Sequence, residues 1–556
     1  MFVRVKTTPN SPKKAIQIVE SVRRGKRISQ KIIRHIGYAT DDDELLKLKM
    51  LAESIKIKLE AGDQHLLFPP EKLARLKKLE IKGKDSQYRI NLKELIEEQR
   101  VISGIHDVYG ALFERLGYRS VFKNPARQKA TVEIFKHIVL ARIANPQSKM
   151  ASVDMLEEDF GVSLDLHRVY RMMDLLDDVA IEKLNDLTYQ NTLDLFGSKI
   201  DIVFFDATTI YFESFSGDEL RDMGFSKDLK FNQPQVLFGL MVNKEGLPIG
   251  YKVFPGSTYE GHTLMPTLKD LRKRYHLDKV IFVADGGMFN RYNLEELEEE
   301  GFEYIVGARL RNLNNQLKEK VLDRKHYRGE KDFCIAQFEY QDNKKLIVSY
   351  KESRAQKDAL DRAKAIDKLR KRLDQVRNPK EYLSNYGYKR YLKVSGESQI
   401  ELDEAKVEED SRWDGLHGVV TNAKDLSNEE ILHQYINLWH IEEAFRITKH
   451  DLKVRPVFHW TARRVKAHLA ICFTAYALVR HLEYRVRLQY KSLSIEKIRQ
   501  CLIRVQTSVL FHVEKKIRFA LPSRITQHAK KIYQVMNLFR SLTPWIIKLV
   551  SGRSHG

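Results

Sequence analysis

The sequence predicts a multi-domain protein of the α/β class, in a mixed α+β arrangement around one central sheet. Between residues 197 and 325, apolar β-branched strands alternate with amphipathic helices, which is typical of a mixed sheet covered by helices. Residues 91–196 and 426–556 follow helical spacing instead. A chain of 556 residues is also too long for one compact core, so we expect two to four domains.

The N-terminal region, residues 1–62, is predicted to contain three strands and a helix. Its strands and helix are expected at Phe2–Lys6, Ala15–Arg23, Ser29–Tyr38 and Asp41–Ala61. Residues 63–90, which include two adjacent prolines, are expected to form a linker.

Helices are predicted throughout residues 91–196, with breaks at glycines and prolines. The segment MLEEDFGVSLDLHRVYRMMDLL, residues 155–176, has the pattern of two helices joined by a glycine turn. This pattern fits a DNA-reading helix-turn-helix, and it also fits two helices that pack together in a bundle. The sequence leaves both interpretations open.

The first part of the central domain, residues 197–325, is expected to alternate strands and helices. Strands are predicted in KIDIVFFDATTIYF, QVLFGLMV, GYKVF, Lys279–Ala284 and Tyr304–Ala308, and helices near Leu264–Tyr275 and Leu294–Glu300.

Residues 326–425 look like a β-rich insertion into this domain. Strands are predicted in FCIAQFEY, KLIVSY, YLKV and GVVTN, with a charge-dense helix around Asp358–Arg377. The domain then resumes at 426–480 with a helix that a Ser427–Glu430 capping box should begin. A basic helical C-terminal region is expected at 481–556.

Basic residues are concentrated at the two ends of the chain. Residues 446–556 carry a net charge of +19 and residues 1–40 a net charge of +9, whereas the part between them carries −7. Basic blocks attract polyanions. Aromatic residues and apolar periodicity within the C-terminal block favour nucleic acid, with solubility or attraction to acidic lipid as the alternatives.

Three scattered cysteines without a CxxC pair argue against a disulfide framework or a structural zinc site. The first residues lack the apolar core of a signal peptide, and the longest apolar run, Leu469–Val479, is too short to cross a bilayer. We therefore expect a cytoplasmic protein. No P-loop or GxSxG elbow is visible in the sequence.

Three acidic residues are candidates to bind metal. Asp206 and Asp285 each follow an apolar strand, and ligands collect at the carboxyl ends of strands in α/β sheets. Glu442 lies on the predicted helix after the insertion. Carboxylates suit Mg²⁺, and two such ions can activate one oxygen of a phosphodiester reaction and stabilise the departing one. Taken singly, either aspartate could instead be a turn residue or a helix cap.

The segment YINLWHIEEAFRITK, residues 435–449, places an acid beside candidate phosphate-binding side chains. At about 100° per residue, Glu442, Arg446 and Lys449 fall within roughly 40° of Tyr435 on a helix. Glu443 falls about 80° away, so Glu442 is the better candidate. Core packing is the alternative role for Tyr435 and for Trp439. The histidines of this region lack the i, i+4 spacing of a zinc protease.

These residues resemble the DDE transposases of bacterial insertion sequences, in the branch with an RNase H-like core interrupted by a β-rich insertion. That branch carries a Y-x2-R-x3-E-x6-K signature, which Tyr435, Glu442 and Lys449 match in type and spacing. The resemblance extends through GFSKD, PQVLFGL, GLPIGY, FPGSTYEGHTL, VADGGM and RPVFHW.

Two positions depart from the family pattern. Leu438 stands where the signature has arginine, so one phosphate contact is absent or has moved, with Arg446 as the candidate to supply it. Gly286 follows the second aspartate, where relatives often have arginine. Both departures bear on the binding of transposon ends more than on the metal site.

The resemblance implies a transposase that cuts transposon ends and joins the freed 3′-hydroxyl to target DNA. Asp206, Asp285 and Glu442 would be catalytic and would hold two Mg²⁺ ions, for which Mn²⁺ can substitute. Tyr435, Arg446 and Lys449 would bind DNA. The partners implied are double-stranded DNA, with its terminal inverted repeats held in part by 91–196, and a second copy of the chain in a synaptic homodimer that is nucleoid-associated on DNA.

Two rivals share these residues. An RNase H-like nuclease would cut DNA without strand transfer, and a repressor descended from a transposase would bind DNA without cutting it. A pre-cut DNA end with a free 3′-hydroxyl distinguishes a transposase from the nuclease, because only a transposase would join this end to a plasmid.

Overall fold

The computed structural model describes residues 1–7, 13–24, 27–39, 42–61, 92–196, 200–212, 217–224, 233–275, 280–286, 291–341, 343–373, 390–395, 399–490 and 493–547. The predicted linker at 63–90 and most of the GFSKD motif lie outside these residues. The chain divides into two compact units. The first comprises Met1–Ile96 and Phe511–Arg518, and the second comprises Glu97–Leu510 and Phe519–Gly556.

The first unit contains the predicted three strands and helix. Its elements are β1 (Phe2–Thr7), β2 (Lys14–Arg24), β3 (Arg27–Ala39) and α1 (Asp42–Ala61). The strands form an antiparallel sheet in the order β1-β2-β3. Ile16 and Ile18 of β2 are fully buried in a small apolar cluster with Ala52 of α1, so the helix covers one face of the sheet. The expectation for this region is confirmed.

The second unit begins with a strand rather than a helix. β4 occupies Leu95–Ile102, and the helices α2 to α6 follow at Ala111–Arg115, Lys129–Ala144, Lys149–Phe160, Leu166–Asp174 and Asp178–Leu195. The prediction of a wholly helical 91–196 is therefore wrong at β4. The two helices predicted around Gly161 are present as α4 and α5, and Gly161 takes the left-handed conformation (φ 66°) that ends α4.

The centre of the second unit is a mixed sheet. Its first five strands in chain order are β5 (Ile202–Tyr211), β6 (Gln235–Asn243), β7 (Pro248–Pro255), β8 (Ile281–Ala284) and β9 (Glu303–Gly307). They lie in the order β7-β6-β5-β8-β9, with β5, β8 and β9 parallel and β6 antiparallel to its neighbours. Helices α7 (Leu264–Tyr275) and α8 (Arg291–Glu299) connect the parallel strands. This topology is that of an RNase H-like core, as expected.

The insertion continues this sheet and is not a separate module. Its elements are α9 (Asn315–Leu322), β10 (Arg328–Glu330), β11 (Phe333–Tyr340), β12 (Lys344–Lys351), α10 (Glu352–Leu373), β13 (Leu392–Ser395), β14 (Gln399–Leu402), α11 (Glu404–Ser411) and β15 (Leu416–Thr421). β15 pairs antiparallel with β9, which gives nine strands in the order β10-β11-β12-β15-β9-β8-β5-β6-β7. The charge-dense helix is α10, and it begins earlier than predicted.

The remainder of the second unit is mixed rather than helical. It contains α12 (Asn428–Ile436), α13 (Trp439–Arg446), α14 (Ala462–Gln489), α15 (Ile495–Ile503), β16 (Gln506–His512), β17 (Ile517–Pro522), α16 (Gln527–Val535) and β18 (Trp545–Ile547). The last three strands contradict the helical prediction for 481–556. Residues 97–102, 506–510, 519–522 and 545–547 form a second sheet, in the order β18-β17-β16-β4.

The apolar run Leu469–Val479 lies inside α14 and is buried in the main core. Each fully buried large apolar side chain of this kind contributes about 1.5–3 kcal/mol, so α14 anchors the surrounding helices. No helix among the described residues is long and apolar enough to span a membrane.

Candidate active site

A cavity of about 720 Å³ is lined by all three predicted catalytic acids. Asp206 reaches it from β5, Asp285 from the residue after β8, and Glu442 from α13. The walls are completed by the end of β12, the first turns of α10, and β15. Residues far apart in the chain thus meet at one place on the central sheet.

The register of two parallel strands brings the aspartates together. Phe204 of β5 lies opposite Val283 of β8, so continuing the register by two residues sets Asp206 opposite Asp285. Neighbouring strands are about 4.8 Å apart, and residues at equal register face the same side. The sequence indicated that Asp206 follows its strand, whereas in the structure Asp206 lies within β5. β5 runs on to Tyr211 because it keeps pairing with β6, whereas β8 stops at Ala284 and leaves this side open.

Glu442 lies in the first turn of α13, which packs against β5 and β6. Its neighbour Glu443 is engaged elsewhere, because its carboxylate pairs with buried Arg480 (3.5 Å) and with Arg446 (3.6 Å). Glu443 does not line the cavity. The structure therefore separates the two glutamates in the way that their helical positions predicted.

Tyr435 is coupled to the acids through its hydroxyl, which lies near the Asp285 carboxylate and interacts with it. Burial, followed by the charge of Asp285, raises the pKa of Tyr435 to about 12, so the phenol stays protonated and donates. Gly307 leaves room for this hydroxyl, and Gly286 leaves room for the backbone of Gly307. A Cβ on Gly307 would overlap the Tyr435 hydroxyl, and a Cβ on Gly286 would overlap the carbonyl of Gly307. The departure at Gly286 thus has a steric cause.

His417 of β15 lies beside Tyr435, with the ring centroids 5.0 Å apart and the planes tilted by 42°. Burial and the neighbouring Arg354 lower the pKa of His417 to about 4, against the opposing effect of Asp285. The imidazole is therefore neutral at physiological pH, and it adds a polar wall to the cavity without adding charge.

The cations of the cavity come from the insertion, and sequence reasoning missed them. Lys351, Arg354 and Lys357 line the cavity opposite the acids. Arg354 lowers the pKa of His417 and opposes the rise in the pKa of Tyr435, so its charge acts on two side chains of the cavity. Its nearest carboxylate partner is Asp358, at 3.9 Å. A charge-dense helix gives no sequence signal of which cations face a site.

The two predicted DNA-binding cations on the glutamate helix lie elsewhere. Arg446 pairs with Glu443 and with Asp451 (3.5 Å), and its side chain is 56% exposed. Neither Arg446 nor Lys449 lines the cavity. The segment is not one regular helix, because Asn437 and Leu438 form a tighter step with i→i+3 hydrogen bonds and residues 447–451 form a π-helix. Counting 100° per residue therefore misplaces the last residues of the stripe.

Leu438 is buried in the cavity wall, so the signature position contributes apolar packing here. Trp439 also lines the cavity and is 47% exposed. The interpretation of Trp439 as a core-packing residue is therefore wrong. Tyr435 is half-buried and packs against the main core, so it combines packing with its contact to Asp285.

The donor set of the cavity suits a hard divalent ion. No group of three or more His, Cys, Asp or Glu side chains in the described part of the chain is placed so that it could hold a metal ion. Mg²⁺ and similar ions are bound by a few carboxylates, while water and substrate phosphate oxygens complete the coordination. The three carboxylates that line the open cavity are donors of this type, but they do not form a ready metal-binding group in this structure.

Family comparison agrees with this geometry. A family model described as the transposase DDE domain matches residues 197–478, just over half of the chain. The chain belongs to the DDE transposase family. A second model, the N-terminal domain of IS1634 family transposases, matches residues 3–64, which include the strands and helix of the first unit. The protein is therefore an insertion-sequence DNA transposase, a metal-dependent enzyme of DNA cleavage and transfer.

Solved transposase structures show distant likeness to this transposase. A piggyBac transposase synaptic complex with hairpin DNA shares 8% identity at a TM-score of 0.37, covering 72% of this chain and 76% of that one. The Mos1 strand transfer complex shares 16% identity at a TM-score of 0.14, covering 47% and 72%. The Mos1 mariner paired end complex with Mn shares 12% at 0.14, covering 48% and 78%. No curated protein gives a significant match.

Proposed function

We propose that this transposase cuts transposon ends and joins the 3′-hydroxyl to target DNA with Asp206, Asp285 and Glu442 as its metal ligands. The observation that carries the proposal is the single cavity that the three carboxylates share. The ions are two Mg²⁺, for which Mn²⁺ can substitute. When bound, they supply activation of the attacking oxygen and neutralisation of charge on the departing one.

Tyr435 acts as a positioning residue. Its hydroxyl donates to Asp285 and fixes the direction of that carboxylate. Neutral His417, tilted against the same ring, restricts its movement. Because catalysis of phosphoryl transfer is mainly positioning and electrostatic stabilisation, such restraint contributes directly to rate.

Arg354 takes the role of the missing signature arginine. It faces the cavity with Lys351 and Lys357, where guanidinium and ammonium groups can hold the phosphates next to the cut. Its effect on His417 and Tyr435 supports this assignment. Arg446 and Lys449 are proposed to contact DNA phosphates outside the cavity.

DNA is the substrate, in the form of terminal inverted repeats and a target duplex. The helices within 91–196 and the basic N-terminal strands are proposed to hold the repeat. We also propose a homodimer that joins two ends in one synaptic complex, as membership of the family implies. Light scattering with and without end DNA tests this, since one monomer per end in every complex would exclude it.

Isosteric variants of the acids test the assignment. Asp206→Asn, Asp285→Asn and Glu442→Gln should each bind end DNA and cleave it at least about 10³-fold more slowly, the scale on which loss of a preorganised electrostatic group acts. Glu443→Gln is the matched control, one residue away on the same helix, and should cleave within a few-fold of the wild type. Undiminished cleavage by any of the three variants removes that residue from the site.

Strand transfer is tested separately. A pre-cut end with a free 3′-hydroxyl, supplied with a supercoiled plasmid and Mg²⁺ or Mn²⁺, should be joined to the plasmid. Cleavage of intact ends without joining would identify a nuclease instead. Binding without either reaction would identify a catalytically silent DNA-binding protein.

A further inference from the structure

A second cavity, of about 230 Å³, lies among the helices of the second unit, away from the three acids. It is lined by the end of α3, the start of α4, residues of α5 and α14, and the segment that carries the RPVFHW motif. Four of its lining side chains are basic or imidazole groups that are more than nine-tenths buried: Arg142, Lys149, His459 and His468.

Among the described residues, the hydrogen-bond partners of these two cations are neutral. Lys149 Nζ lies 3.1 Å from His468 Nδ1, and Arg142 Nη1 donates to the carbonyls of Leu452 (3.5 Å) and Lys453 (3.2 Å). No acidic residue is found among the described residues that line the cavity. A buried charge without a counter-charge is costly, so this arrangement favours an anion.

His468 is arranged to accept a hydrogen bond from Lys149. His468 Nε2 lies 3.0 Å from the Val454 carbonyl, so it carries the proton and leaves Nδ1 to accept from Lys149. Burial and the nearby cations lower the pKa of His459 to about 3 and that of His468 well below its usual range. Burial and Arg142 lower the pKa of Lys149 to about 7, which is the expected state of an ammonium that lacks an anion.

Backbone and surface features point to the same ligand. Ser148 caps α4, a helix of 12 residues, by accepting from Ala151 N at 3.2 Å, and the free N–H groups of such a first turn favour an anion. Phe458 at the mouth of the cavity is 61% exposed, as is Met150. Exposed apolar side chains around a cationic cavity suit the sugar and base that flank a phosphate.

We propose that this cavity binds one phosphate group of the DNA backbone, held by Lys149 and Arg142. Its volume is below the roughly 300–1,000 Å³ of typical small-molecule pockets, so it accommodates a phosphate and not a whole nucleotide. The proposal adds a second DNA contact to the transposase and does not depend on which acids hold metal.

Inorganic phosphate is the first probe. In thermal unfolding at constant ionic strength, phosphate should raise the Tm of the full-length protein by roughly 2–6 °C near 100 times its Kd, relative to chloride. Lys149→Met should abolish the shift, and Lys149→Arg should retain it. Lys320→Met, at an exposed lysine of α9, is the matched control and should keep the full shift. The absence of a shift in the wild type overturns the proposal whether or not the variants fold.

End DNA is the second probe, and it distinguishes a DNA phosphate from a free one. Lys149→Met should weaken binding of a duplex end about 10-fold and lower the salt slope of binding by about one, while Lys320→Met should not. A phosphate shift with unchanged DNA binding would identify a free phosphate and overturn the DNA assignment. Neither assay measures cleavage, and both are decided at Lys149, so failure here is distinct from failure of the proposed active site.

Discussion

Gly307 controls the position of the Tyr435 hydroxyl, so Gly307→Ala is expected to impair catalysis without touching any acid. An added Cβ would overlap that hydroxyl, and it would lie 3.1 Å from Tyr435 Cζ and 3.2 Å from the amide nitrogen of Gly286. The backbone of Gly307 is held in the sheet by its pairing with Val419 of β15. The phenol must therefore move and release Asp285.

The expected magnitude follows from the bond that is lost. A hydrogen bond to a charged group contributes about 1.5–3 kcal/mol, and each 1.36 kcal/mol is a factor of ten in rate. If the whole of this contribution acts in the transition state, cleavage slows by roughly 10–100-fold. Overpacking at Gly307 also destabilises the fold by about 1–3 kcal/mol, which urea unfolding measures independently.

A double-mutant cycle isolates the cause. Tyr435→Phe should slow cleavage as much as Gly307→Ala, and the double variant should be no slower than either one, because both remove the same contact. The stability cost of Gly307→Ala should be smaller in the phenylalanine background, where the hydroxyl overlap is gone. Gly110→Ala is a control, since its Cβ would meet Leu140 at an ordinary 3.7 Å. Wild-type cleavage by Gly307→Ala, or additive losses in the double variant, would refute this reasoning.

Three further predictions concern the cation of the cavity, a helix cap and pH. Arg354→Ala should weaken end-DNA binding and lower its salt slope by about one, whereas Arg370→Ala, further along the same helix, should not. Ser427→Ala removes the capping box with Glu430 and should cost about 1 kcal/mol in urea unfolding. Burial lowers the pKa of fully buried His481 to about 3, so the unfolded chain takes up a proton that the folded chain refuses. Stability should fall as pH drops from about 6.5 toward 3, and His481→Gln should flatten the Tm against pH in that window.

Much of the fold was readable from the sequence because its signals are local. The strand FCIAQFEY coincides with β11 and the helix Leu264–Tyr275 with α7. The capping box at Ser427 forms as predicted. Strand runs, cap residues and turn glycines act within a few residues, so their pattern fixes type and extent.

Pairings between distant segments could not be read in this way. β4 and the strands of the last fifty residues looked helical, since a strand that is half-covered shows neither strict alternation nor a continuous apolar run. The joining of β15 to β9, more than one hundred residues apart in the chain, has no local signal either. That one pairing changes the insertion from an independent module into the continuation of the core sheet.

Some site residues were identified from the sequence and others were not, again because sequence signals are local. Asp206 and Asp285 follow strands that become parallel neighbours, and that geometry is implied by an α/β pattern. Tyr435 and Glu442 lie on either side of the step at Asn437 and Leu438, and both still line the cavity. Arg446 ends α13, where it pairs with Glu443 and Asp451, and Lys449 lies in the π-helix, which changes the period. Arg354 belongs to a helix charged on every side, and only the sheet pairing of the insertion turns it toward the acids.

The insertion also determines the net charge of the cavity lining. Asp206, Asp285, Asp358 and Glu442 face Lys351, Arg354 and Lys357, and His417 is neutral because its pKa is lowered to about 4. The lining therefore carries a formal charge of −1, close to balance, although the acids alone would repel a phosphate. Two divalent ions would change this to +3, since the cations of the insertion are already present. With such ions bound, the lining would attract a DNA phosphate more strongly, and Lys351, Arg354 and Lys357 of the insertion add to that attraction.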